Sequence, residues 1–201
     1  MITALYLAHL NPVTNAHVEI ISELKKESDF VKVMPVVFKN DDKEINSKSF
    51  PFNFETRKKM LISVFGNSIK ITDDYAFFAP FKNYMPPLLA PKSWKLRKQV
   101  LRGVEGDFFS YTGNKAEGYM LKIYRLKPKV GIRKPLSATS VKEKLYDSAL
   151  GKNSSWEKDV PENIKKIIED NWDIVKKFAN ATDMTTKIAG MKFPKEGWSK
   201  K

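Results

Sequence analysis

The sequence predicts an α/β protein built on an open parallel sheet with helices on both faces. Three observations carry that expectation. Short apolar runs alternate with segments of helical periodicity along most of the chain. The run from Phe30 to Phe38 is rich in valine and, Lys32 aside, apolar, as a strand buried on both faces is. The N-terminal apolar run passes through a tight Asn11-Pro12 turn directly into a helical pattern, the βα step from which such sheets are assembled.

Taken in order, residues 2–8 form the first strand. Ala16, His17, Ile20, Ile21 and Leu24 then recur at helical spacing, and Lys25, Lys26 and Glu27 close that helix. Phe30 to Phe38 is the second strand, with Pro35 at odds with a central position. Asn53 is placed to cap a helix running through Arg57, Met60, Leu61 and Val64 to a stop at Gly66. Ile69 to Thr72 follows as a third strand. Asp73 to Lys98 mixes aromatics, prolines and cations, and reads as an irregular connection with one short helix.

Asp107 to Tyr111 is the next strand, Lys115 to Arg125 a helix, and Lys129 to Ile132 a last short strand. Ser140 and Glu143 have capping-box spacing, which predicts a helix start at Ser140 and a run to Leu150. Pro161 suits the first turn of a final helix whose apolar face is Ile164, Ile167, Ile168, Trp172, Val175 and Phe178. The expected organisation is one domain over residues 1–178, with 79–106 an irregular insertion, followed by a surface tail at 179–201.

A chain of 201 residues can bury one sizeable core, and its 42% hydrophobic and 29% charged residues are those of a globular protein. It has no cysteine, which excludes disulfides, thiolate nucleophiles and cysteine-held zinc. The opening residues carry neither a basic export signal nor a long apolar span, so a cytoplasmic location and no membrane contact are expected. A formal charge of +13 predicts anionic partners, though solvated lysine faces give the same sum. The oligomeric state is left open, a homo-oligomer included.

In an open parallel sheet, ligands bind beyond the carboxyl ends of the strands. The first such end spans Ala8, His9, Leu10 and Asn11 and continues to His17, with Thr14 and His17 three residues apart and directed into one site. A helix N-terminus offers unpaired N–H groups and positive partial charge, which suits phosphate. His17, protonated or as a neutral donor, would stabilise charge developing on that phosphate. A histidine on a helix's apolar face is also an ordinary core residue.

Thr14-Asn15-Ala16-His17 resembles the phosphate-binding turn of the nucleotidyltransferase superfamily: histidine or threonine, any residue, glycine, histidine. Ala16 stands where the family usually has glycine. Leu136-Ser137-Ala138-Thr139-Ser140-Val141-Lys142 is similar to the family's later motif of isoleucine, serine, a small residue, threonine or serine, two others and arginine, with Lys142 in the arginine position. Phe50 to Arg57 resembles the segment in which an arginine opens the second helix of adenylyltransferases.

The resemblance implies a Rossmann-like sheet of nucleotidyltransferase type and in-line attack by an acceptor phosphate on the α-phosphorus of ATP or CTP, with pyrophosphate leaving. It implies catalytic roles for Thr14, His17 and Lys142. It places Ala8, His9, Leu10, Asn11, Arg57, Ser137, Ala138 and Thr139 against the nucleotide. Magnesium would come with the triphosphate, held largely by phosphates and water.

The acceptor is less defined. Pro12 to Asn15 with His17 is closer to phosphopantetheine adenylyltransferases, and cytidylyltransferases share the motifs. Pro51-Phe52 before Arg57, the aromatics Phe77 and Phe78, and Ser110 to Asn114 are more similar to the nicotinamide mononucleotide enzymes, which place an aromatic beside the base. The balance tips to nicotinamide mononucleotide, with Phe77, Phe78 and Arg133 as its expected contacts. Lys92, Lys95, Arg97 and Lys98 around Trp94 give a minor alternative, a nucleic-acid-binding module, unsupported by any nucleic-acid motif.

Overall fold

A computed structural model describes residues 1–132, 134–188 and 191–199. The chain runs β1 (Ile2–Ala8), α1 (Asn15–Glu27), β2 (Phe30–Pro35), β3 (Val37–Asn40), β4 (Lys43–Glu44), α2 (Phe54–Phe65), β5 (Lys70–Ile71) and β6 (Ala76–Phe78). A 3-10 turn at Phe81–Tyr84 leads to α3 (Pro91–Val100), β7 (Asp107–Thr112), α4 (Lys115–Ile123), β8 (Pro128–Val130) and α5 (Ala138–Ala149). α6 (Glu162–Asp170), α7 (Trp172–Ala179), β9 (Thr185–Ile188) and β10 (Met191–Pro194) complete it.

Five strands form the main sheet in the order β5-β2-β1-β7-β8, and every pair is parallel. The chain winds outward from β1 in one direction and then in the other. The order therefore reverses between β1 and β7, where a crevice opens beyond the carboxyl ends of the two strands.

Burial explains why β1 lies at the centre. Ala4 and Tyr6 join a cluster with Ile21 and Leu24 of α1, Met60 and Leu61 of α2, Val141 and Leu145 of α5, Ile164 of α6 and Val175 of α7. Leu5 and Leu7 point the other way, onto Val100 of α3 and Leu121 of α4. Alternation along one strand thus feeds helices on both faces, as expected of a doubly covered sheet.

The second predicted strand is two strands. Proline has no N–H to give the ladder, and after Pro35 the chain leaves the main sheet. Val37 pairs with Ala76 in a smaller sheet of order β4-β3-β6. The predicted irregular stretch contains α3, which starts with Pro91 and buries Ser93, Leu96 and Val100. The last predicted helix is likewise two, divided at Asn171, so that α6 packs on α2 and α7 on α5. α5 begins at Ala138, capped by Ser137, whose Oγ accepts from Ser140 N at 3.1 Å. Ser140, the predicted start, lies inside the first turn, two residues beyond the observed one.

Residues 179–201 are more than a surface tail. β9 and β10 pair antiparallel, and Phe193 is buried with Phe38, Phe77 and Phe81. Phe81 N donates to Gly197 O at 2.8 Å. Gly197 has φ +76°, and a Cβ there would lie 3.0 Å from Ala79 and from the Phe81 ring, so the close crossing requires glycine.

Candidate active site

β1 ends at Ala8 and the chain turns sharply through Leu10, a buried leucine held at φ +49°. A left-handed leucine is unfavourable on its own and needs bracing. The Asn11 side chain supplies some of it, donating from Nδ2 to Phe52 O at 2.7 Å and accepting from Phe52 N at 3.1 Å. Arg57 supplies more, donating to His9 O and Val36 O, each at 2.8 Å, and to Glu44 Oε1 at 2.9 Å. Its Nε–H reaches Asn53 O at 3.3 Å. The guanidinium, expected at the nucleotide, is buried with its donors turned onto protein carbonyls and a carboxylate. Its place is underneath the turn, which it positions.

Thr14, fully buried, is the N-cap of α1, and His17 is three positions into the helix. His17 Nδ1 lies 3.1 Å from Thr14 N and 3.1 Å from Thr14 Oγ1, and it accepts from the backbone N–H. With Nδ1 an acceptor, the proton of the neutral ring sits on Nε2, the nitrogen free to face a ligand. Burial, reinforced by the charge of Lys142, pushes the ring's pKa down to about 4. His17 is therefore a neutral donor at pH 7, and the protonated form considered from sequence is set aside.

Lys142, from the second turn of α5, reaches the same turn from 131 residues away and donates to Asn11 O at 3.0 Å. Among the described residues no carboxylate pairs with it. Burial first, and Lys192 second, lower its pKa to about 8. The N-terminal turn and the late helix motif thus meet. Ser137 turns its oxygen to capping α5, Ala138 is half-buried and Thr139 is exposed, and none hydrogen-bonds to the turn.

Beyond the ends of β1 and β7 lies a cavity of about 370 Å³. Ala8 and His9 form its floor with Tyr6; Tyr75, Phe77 and Tyr84 wall one side; Thr112, Asn114 and Glu117 wall another. Tyr6 links the two parts of the site, its ring 6.5 Å from that of His17. Phe77, expected to contact the acceptor, lines the cavity. Phe78 does not: adjacent residues of a strand point to opposite sides, and its ring meets Lys39 at 5.7 Å. Arg133 lies outside the described residues.

His9, expected at the nucleotide, lines the cavity, and two further side chains, Lys192 and Glu117, escaped the sequence reading. The His9 ring stacks on Phe50 at 4.7 Å, its Nδ1 has no partner among the described residues, and burial holds its pKa at about 3. Lys192 lies on β10, within the predicted tail, and its Nζ meets Ser49 Oγ at 2.9 Å and Asp183 Oδ2 at 3.2 Å. Its charge reaches both His9 and Lys142. Glu117 looked like an ordinary first-turn acid, favourable at any helix N-terminus, so nothing in the sequence marked it.

Trp94 donates its indole N–H to Leu88 O and packs edge-on against Tyr124 at 5.3 Å, so its ring is partly spent inside the protein. Among the described residues no group of three or more His, Asp or Glu side chains is arranged to hold a metal, and no helix is long and apolar enough to cross a membrane.

No protein-family model matches the chain, and no curated protein matches it in sequence. Solved structures do match. One is a bifunctional NMN adenylyltransferase/ADP ribose pyrophosphatase from Francisella tularensis, with TM-score 0.64 and 16% identity over 88% of this chain and 52% of that one. The structure of such an enzyme from the same organism complexed with AMP and manganese ion has TM-score 0.60 and 15% identity over 88% and 51%. A third is a putative nicotinate-nucleotide adenylyltransferase from Vibrio parahaemolyticus, with TM-score 0.56 and 11% identity over 87% and 95%. The chain spans about half the length of the Francisella structures. At these identities the likeness is one of fold: a Rossmann-like parallel α/β sheet, as in these structures.

Proposed function

We propose that the protein is an adenylyltransferase that joins ATP to nicotinamide mononucleotide and releases pyrophosphate. One observation carries the reading: Thr14 and His17 on one element and Lys142 on another converge on the turn at Asn11, at the switch point of the sheet and beside an aromatic cavity. A donor-rich corner for phosphates next to a flat-walled pocket for a ring is what a nucleotide acceptor requires. The fold shared with NMN and nicotinate-nucleotide adenylyltransferases supports it.

In the proposed step, an oxygen of the acceptor phosphate attacks the α-phosphorus of ATP. The bond to the bridging oxygen of the β-phosphate breaks, and pyrophosphate leaves with that electron pair. The protein holds the groups in line and offsets charge. Nε2–H of His17 donates to the oxygens of the transferred phosphoryl group, where charge changes most. Lys142 neutralises the triphosphate, and bound phosphate would in turn hold its proton. Magnesium would accompany ATP as its counter-ion, as a manganese ion accompanies AMP in one of the similar structures.

The aromatic cavity favours a ring-bearing acceptor over phosphopantetheine, whose flexible amide arm gains little from such walls. The test is a matrix of each nucleoside triphosphate against nicotinamide mononucleotide, 4′-phosphopantetheine and phosphocholine, read as pyrophosphate release. ATP with nicotinamide mononucleotide should dominate, and silence across the matrix overturns the enzyme reading.

A further inference from the structure

Glu117 stands at the third position of α4, following the N-cap Asn114. A glutamate there usually reaches back to the cap's backbone N–H. Here that N–H is already taken, since Asn114 N donates to Thr112 Oγ1 at 3.1 Å. Accepting that bond leaves the Thr112 hydroxyl proton for Glu117, and Oγ1 donates to Glu117 Oε2 at 2.6 Å. The carboxylate is thereby detached from the helix end and fixed toward the cavity it lines. Among the described residues Oε1 has no hydrogen-bond partner, and no lysine or arginine forms an ion pair with the group. Arg97, also on the cavity wall, gives its Nε–H to Tyr124 O instead.

The surroundings define what such a carboxylate can accept. Tyr6, Tyr75, Phe77 and Tyr84 line the same cavity, and the carboxylate is felt by the first two, whose hydroxyls are pushed up by burial first and by Glu117 among the lesser causes. Aromatic faces attract cations, and an unpaired carboxylate in an apolar enclosure needs a donor or a positive charge. A nicotinamide nucleotide brings both, a pyridinium ring and an amide N–H. The nicotinate counterpart keeps the pyridinium ring but puts a second carboxylate in place of the amide.

We propose that Glu117 selects the acceptor: its carboxylate, aimed by Thr112 into the aromatic cavity, takes the amide of a cationic nicotinamide ring and rejects the corresponding carboxylate. This rests on the adenylyltransferase reading and adds to it a choice between two acceptors of the same shape. Two like charges brought together inside an enclosure should bias kcat/KM toward the amide by on the order of 10²-fold.

The experiment compares nicotinamide mononucleotide with nicotinate mononucleotide, each by pyrophosphate release with ATP and by calorimetric binding without ATP. Wild type should prefer the amide in both. Glu117→Gln, checked for folding by circular dichroism, should reduce the preference at least ~10-fold, mostly through the two KM values, and Thr112→Val should reduce it partway. Equal use of both acceptors by wild type, or a preference untouched in the variants, overturns the proposal. If Glu117→Gln does not fold, the wild-type ratio and Thr112→Val decide. Turnover of neither acceptor, with selective binding of the amide that Glu117→Gln abolishes, sinks the transferase reading and leaves the role of Glu117 standing. Binding of neither overturns both.

Discussion

The corner at residues 8–17 and the cavity beside it are built in different ways. In the corner, a strand end, a bent turn and a helix N-cap follow one another within ten residues, and one distant side chain, Lys142, is added. The cavity draws on β1, β6, β7, α3, α4, β9 and β10, and its lining runs from Tyr6 to Phe193. The corner concentrates donors and cations, while the cavity concentrates aromatic faces and one carboxylate. Substitutions in the first should therefore change the chemical step, and substitutions in the second should change which acceptor is used and how well the fold holds.

The largest effect expected is that of His17→Ala. Removing a donor that acts on developing charge costs ~10²–10³ in kcat, with little change in the ATP dissociation constant measured by calorimetry. A rise in that constant matching the loss of rate would place His17 in ground-state binding and blur the contrast. Phe193→Ala probes the other side. Emptying a buried aromatic position costs about 3–5 kcal/mol, so the melting temperature should drop by many degrees while ATP binding by the remaining folded protein is unchanged.

Lys142 offers a sharper test through pH. Its pKa of about 8 means that the charge is present at pH 7 and lost as pH rises through 8. The profile of kcat/KM, which reports the free enzyme, should fall above about pH 8, whereas kcat should hold to higher pH because bound triphosphate keeps the proton on. Lys142→Arg should remove the alkaline fall from kcat/KM. A profile that still falls near pH 8 in that variant assigns the limb to another group.

Acid should act on stability. His9 and His17 are held neutral in the fold, with pKa values near 3 and 4 against an unfolded value of 6.5. The unfolded chain then binds more protons below 6.5, so stability is complete above that pH and declines as pH falls toward 4. Thermal melts from pH 7 to 4 should show this decline, reduced in His9→Phe. The smallest effect is predicted for Phe78→Ala: the ring faces Lys39 rather than the cavity, so the acceptor KM should stay within about twofold, while Phe77→Leu raises it.

The same contrast explains what the sequence disclosed. β1 and α1 were legible to within a residue, as was the Asn53 cap of α2, because strand burial, turn chemistry and capping are local. The approach of Lys142 was legible only through resemblance to a family motif, since no spacing relates it to Asn11. Arg57 was seen but misplaced: sequence shows a cation at a helix start and cannot show that four carbonyl and carboxylate groups already surround it. The hairpin of β9 and β10 was missed because short residues and lysines near a terminus look solvated until the Phe193 ring is seen against those of Phe38, Phe77 and Phe81. Glu117 was missed because its direction depends on one threonine hydroxyl.

The central claim, that the corner performs the transfer, is tested most directly by single-turnover measurement of pyrophosphate and dinucleotide from ATP and nicotinamide mononucleotide, with wild type and His17→Ala side by side at saturating ATP. Wild type should form the two products in equal amounts, and His17→Ala should form them ~10²–10³ more slowly while binding ATP as tightly. Equal rates in the two proteins, with both folded, would contradict the account.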